Sequence, residues 1–82
     1  MGLKDRVVYT NASSIRGYVR KVSDVCYFWT LKDFEPNGQK DVSPFIMAYG
    51  QQPTPREAFQ ALYSEIMYYT LDVVKGSEQE KK

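Results

Sequence analysis

The chain has 82 residues, a formal net charge of +1, 43% hydrophobic residues and no histidine. That length fits one domain with a modest core, and that charge supplies no global field to draw in DNA or an anionic membrane. The missing histidines remove a histidine general base, histidine-containing triads and most zinc sites.

In chain order, Met1 to Asp5 reads as a mobile start. Arg6 to Thr10, RVVYT, is a short β-rich run, and Asn11 to Ser14, NASS, is a turn cluster. Asn11-Ala12-Ser13 matches a glycosylation sequon, read as chance without a secretory signal. Ile15 to Val22, IRGYVRKV, and Val25 to Leu31, VCYFWTL, are two strands joined at Ser23-Asp24. Cys26 is the one cysteine, which excludes an internal disulfide framework. Its apolar run predicts a buried, inert thiol. Asp33 to Ser43 contains Pro36-Asn37-Gly38, a strong turn signal. Asp33, Glu35 and Asp41 lack EF-hand spacing and read as solvated loop acids, so no metal is expected. Pro44 to Gly50, PFIMAYG, is another strand.

The strongest local signal is Thr54 to Gly76. Thr54 is a favourable N-cap, Pro55 suits the first helical position, and Glu57 completes a T-x-x-E capping box. Lys75 and Gly76 read as the stop. Phe59, Leu62, Ile66, Tyr69 and Val73 form one apolar stripe. Tyr63, Met67, Leu71 and Val74 form a second beside it. Two stripes exceed what one small sheet covers, so the second is the expected dimer or partner interface. Ser77 to Lys82, SEQEKK, has no apolar residue and is expected to be a disordered tail after a single domain of residues 1–76. Strands followed by one helix predict an α+β fold: three or four antiparallel strands with a long C-terminal helix packed on one face.

The hairpin carries the functional reading. With Ser23-Asp24 as a two-residue turn, Val22 faces Val25, Arg20 faces Tyr27, Tyr18 faces Trp29 and Arg16 faces Leu31 on one face. That face interleaves arginines with rings, as a surface that stacks unpaired bases and holds phosphates does. Arg16, Tyr18, Arg20, Lys21, Tyr27 and Trp29 are therefore the candidate nucleic-acid residues. The competing reading makes Val22, Val25, Tyr27, Trp29 and Leu31 the core face, with the arginines at its rim. A loop one residue longer swaps the pairing, because strand side chains alternate. Charge agrees with a basic sheet half and an acidic helix half: Arg6, Arg16, Arg20, Lys21 and Lys32 stand against Asp24 alone over residues 6–32.

The strand pair, the turn with Asn37-Gly38, the third strand and the helix opened by Thr54 to Ala58, with Trp29 in the hairpin, are similar to the small sheet-plus-helix DNA-binding modules of the plant AP2 and integrase arm-binding type. The likeness covers about half the chain. It implies a DNA-contacting sheet.

There is no C-x-x-C pair, Walker-type loop or G-x-G-x-x-G. No cofactor is expected, nor an enzyme. No charged-then-apolar segment opens the chain and no apolar run is long enough to span a bilayer, so a cytoplasmic protein without a membrane partner is expected. The expected function is non-enzymatic binding of nucleic acid through the sheet face. The alternative is a protein-interaction module or small inhibitor, of the mobile-element or phage type, that binds a host protein through the helix surface. A homodimer is expected in either case.

Overall fold

A computed structural model describes residues 6–74. Four strands, β1 (Arg6–Tyr9), β2 (Ile15–Ser23), β3 (Cys26–Asp33) and β4 (Phe45–Gln52), precede one helix, α1 (Pro55–Tyr68). The strands form an open antiparallel sheet in the order β1-β2-β3-β4, and α1 packs across one face. The fold is α+β, as the run of strands before a single helix predicts.

The core lies between α1 and the sheet. Val8, Leu31, Ala58, Leu62 and Ile66 are fully buried, with Val19 and Trp29 nearly so. The sheet contributors are aligned by register: Val8 opposes Gly17, Gly17 opposes Leu31, and Val19 opposes Trp29. Gly17 and Gly50 leave room for bulk from the other layer. A Cβ on Gly17 would lie 2.7 Å from Leu62, and one on Gly50 would lie 2.7 Å from the Trp29 ring. Asn37 and Gly38 both adopt left-handed backbone, at φ 58° and 77°, as the turn signal in that loop requires.

The helix begins where its sequence predicts. The Thr54 hydroxyl accepts from the Glu57 N–H at 3.2 Å, with Pro55 just inside. It ends sooner than expected, after 14 residues at Tyr68. Thr70 turns into left-handed backbone at φ 63°. Its N–H donates to the Met67 carbonyl at 2.9 Å, and the Leu71 N–H donates to the Ile66 carbonyl at 3.0 Å. This double closure is a Schellman motif with threonine where glycine is usual. The stop assigned to Lys75 and Gly76, the mobile start and the tail from Ser77 lie outside the described residues.

After the helix the chain returns to β1. Val73 bridges Thr10 in antiparallel fashion, the Asn11 N–H donates to the Asp72 carbonyl at 2.9 Å, and the Val74 N–H donates to the Tyr9 carbonyl at 2.8 Å. The Asn11 side-chain oxygen accepts from the Asp72 N–H at 3.1 Å. Buried Thr10 anchors the same corner through its hydroxyl, 2.8 Å from the Ile15 carbonyl. No helix among the described residues is long and apolar enough to cross a membrane.

Candidate functional site: the open face of the sheet

The β2–β3 hairpin differs from the expected one. The turn is Asp24-Val25, closed by Ser23 opposite Cys26, and Val22 is an extra residue between the Lys21 and Ser23 pairs. Arg20 therefore faces Phe28, Tyr18 faces Thr30 and Arg16 faces Lys32. One bulge has reversed the parity, because successive strand side chains point to opposite faces. The expected pairs of Arg20 with Tyr27, Tyr18 with Trp29 and Arg16 with Leu31 do not form.

The six expected contact residues divide between the two faces. Arg16, Tyr18 and Arg20 lie on the face away from α1. Tyr27 and Trp29 lie on the helix side, where Trp29 is 6% exposed and Tyr27 packs against the core. Lys21 also has helix-side parity. Its ammonium sits 3.0 Å from the Asp24 carboxylate across the turn. The hydrogen bond to Asp24, then the attraction of its charge, raises the Lys21 pKa above its ordinary value. Val22 and Val25, assigned to the core in the competing reading, are 55% and 74% exposed at the hairpin tip.

In place of Tyr27 and Trp29, the open face gains Phe28, Thr30, Lys32, Phe34, Ile46 and Tyr49. Thr30 opposes Tyr49 and Lys32 opposes Ile46, while Met47 is an extra residue in β4. Tyr18, Arg20, Phe28, Thr30, Lys32 and Phe34 line a shallow groove of about 380 Å³. A second depression of about 320 Å³ adjoins it, bounded by Ile46 and Tyr49. Thr30, 7% exposed, forms the floor.

Rings and cations on this face support each other. The Arg16 guanidinium lies 5.0 Å from the Phe34 ring centre and 5.9 Å from that of Tyr9. Its Nε is buried without an acceptor in the protein. The Lys32 ammonium lies 5.6 Å from the Tyr18 ring centre, and Phe34 meets Tyr18 edge-on at 6.3 Å. Phe28 and Tyr49 stack at 6.3 Å with 29° between their planes. Such cation–ring contacts hold each charge in place without neutralising it. Among the described residues, the strand positions of this face carry Arg16, Arg20 and Lys32 and no carboxylate. The Cys26 thiol is half-buried rather than buried, with its Sγ 3.7 Å from the Gln51 amide oxygen.

A sequence signal for the missed residues exists within β3. Tyr27, Trp29 and Leu31 are uniformly large and apolar, whereas Cys26, Phe28, Thr30 and Lys32 grade into a charge. That alternation assigns the odd positions to the core without any assumption about the turn.

The second candidate surface does not form as a helix stripe. Tyr63 and Met67 are on α1, but Leu71 and Val74 follow the helix end. Tyr63 and Leu71 pack against the core, while Met67 and Val74 are 71% and 45% exposed. Early termination at Thr70 is the cause, since the expected stripe needs helix as far as Val74. Among the described residues, no three potential metal-ligating side chains come together. Asp33 is engaged locally, its carboxylate accepting from the Glu35 N–H at 2.9 Å.

No family model matches the chain, and no curated protein or solved structure matches it either. The chemistry of the open face itself must carry the functional reading.

Proposed function

We propose that the protein is a non-catalytic, cytoplasmic binder of single-stranded nucleic acid, and that the open face of the sheet is its contact surface. The observation that carries this reading is the joint presence of Arg16, Arg20 and Lys32 with the rings of Tyr18, Phe28, Phe34 and Tyr49 on one face that no described element covers. Rings stack on unpaired bases of any sequence, and cations between them hold the phosphates. The shallow, open groove favours a flexible single strand over a rigid duplex, which cannot lay its bases flat on a sheet.

The test is fluorescence anisotropy of a labelled oligothymidylate of about ten nucleotides, within the usual footprint of such folds. Tyr49→Ala and Phe28→Ala are each expected to weaken binding roughly 5- to 150-fold, corresponding to about 1–3 kcal/mol per stacked base. Trp29 emission monitors folding from the opposite face. Absence of binding by the wild type at low salt, or unchanged affinity in both folded variants, overturns the proposal.

A second reading, docking of a protein partner on the helix surface, is favoured by Met67 and Tyr68, which are 71% and 78% exposed on adjacent positions. Loss of partner capture in Met67→Lys, with oligonucleotide affinity absent throughout, would select it.

A further inference from the structure

We infer that β4 is a self-association edge, pairing antiparallel with β4 of a second copy to continue the sheet. The two edges of the sheet are treated differently. β1 is four residues long, begins with Arg6, and is met beyond its end by the Thr10–Val73 bridge. β4 is eight residues long and no described strand lies beside it.

Edge strands ordinarily resist pairing through charges, proline, bulges or covering segments. No charged residue occurs between Val42 and Pro55. Phe45, Ile46 and Tyr49 are 61%, 51% and 67% exposed. The bulge at Met47 interrupts the edge, and the Met47 carbonyl accepts from the Tyr69 hydroxyl at 3.3 Å. Ala48 to Gln52 remains as a regular, uncharged stretch opposite β3.

The occupant that fits is a second copy. An isologous strand pair places each residue type against its own strand, so a charged edge would repel itself; this one carries no charge to repel. Residues 75–82, KGSEQEKK, carry no apolar side chain, and residues 1–5 lead into β1, at the opposite edge of the sheet. Antiparallel pairing about a two-fold axis perpendicular to the sheet leaves both helices on one side. The two open faces then join, with Tyr49 of each copy beside the seam. This inference stands whether or not the face binds nucleic acid.

Sedimentation velocity of the full chain across about 5–500 μM is the test. The wild type is expected to shift from the 9.5 kDa monomer towards twice that mass. Tyr49→Lys and Gln51→Lys, which place like charges on the seam, should remain monomeric with unchanged circular dichroism. Met67→Lys should still dimerise. Hydrogen exchange gives an independent readout, with β4 amides between Ala48 and Gln52 slowing as wild-type concentration rises. A wild type that is monomeric throughout, association that survives both lysine variants, or loss of association only in Met67→Lys overturns the inference. β4 exchange independent of concentration also overturns it. Should a lysine variant unfold, the exchange result decides.

Discussion

Thr70 shows how one residue can end an element against its own preference. A β-branched residue in left-handed backbone is strained, because its Cβ crowds the adjacent carbonyl. The exposed side chain makes no compensating contact among the described hydrogen bonds, yet the two carbonyls it helps to close belong to the last helical turn. Thr70→Gly should therefore stabilise the fold by about 0.5–1 kcal/mol, the relief of strain outweighing the extra chain entropy of glycine. A urea midpoint that falls in this variant would mean that Thr70 contributes more than its backbone. The two core-facing glycines should behave in the opposite sense. Gly17→Ala and Gly50→Ala are each expected to cost about 1–3 kcal/mol from overpacking. They differ in readout. Alanine at position 50 displaces the Trp29 ring and should shift its emission, whereas alanine at position 17 meets only the tip of Leu62.

At the scale of the element, the strands, the turn at Asn37-Gly38 and the start of α1 were legible because each is specified by adjacent residues. Thr54-Pro55-Arg56-Glu57 states a helix start on its own. The end of α1 was not legible. The apolar repeat continues through Leu71 and Val73, and those residues are indeed half-buried, but on a non-helical segment after α1 where Val73 bridges Thr10. Apolar spacing records that a residue faces the core, not which element carries it there. The hairpin register failed for a related reason. The bulge at Val22 is one residue wide and leaves no mark in composition, yet it moves Trp29 from the open face to the core. Arg16, Tyr18 and Arg20 share one face, as expected, because they precede the bulge within β2 and keep its alternation. A direct consequence is that Trp29 emission should be blue-shifted in the native protein and insensitive to oligonucleotide, even where anisotropy reports binding. Quenching of Trp29 by a short oligonucleotide would place the ligand on the wrong side of the sheet.

At the scale of the whole molecule, the two faces of the sheet differ in chemistry. The helix side buries Leu62 and Ile66 against the sheet, while the opposite side, which no described element covers, presents rings and cations. Salt should separate the two. Binding through Arg16, Arg20 and Lys32 implies a slope of about −2 in log affinity against log salt, since each single-strand phosphate contact contributes about −0.7. Fold stability, carried by buried apolar side chains, should change little over the same range.

The architecture also depends on its last described residues. Leu71 and Val73 pack against the core, Asp72 and Val74 are joined to Asn11 and Tyr9 by backbone bonds at 2.9 and 2.8 Å, and the Asn11 side chain adds a third bond to Asp72. Ending the chain after Thr70 removes two half-buried apolar side chains and these hydrogen bonds together. At about 1 kcal/mol for each such loss, the expected cost is about 3–5 kcal/mol. That is a large share of the 5–15 kcal/mol typical of a domain. The truncated chain should show a much lower urea midpoint. It should also aggregate more readily, because the segment that meets the end of β1 would be gone. Asn11→Ala, which severs only the side-chain bond, should cost about 1 kcal/mol and leave solubility unchanged. If truncation and Asn11→Ala prove equally mild, the segment after α1 is a passenger and the sheet with its helix is stable alone. A severe truncation beside a mild Asn11→Ala would make residues 71–74 a working part of the sheet.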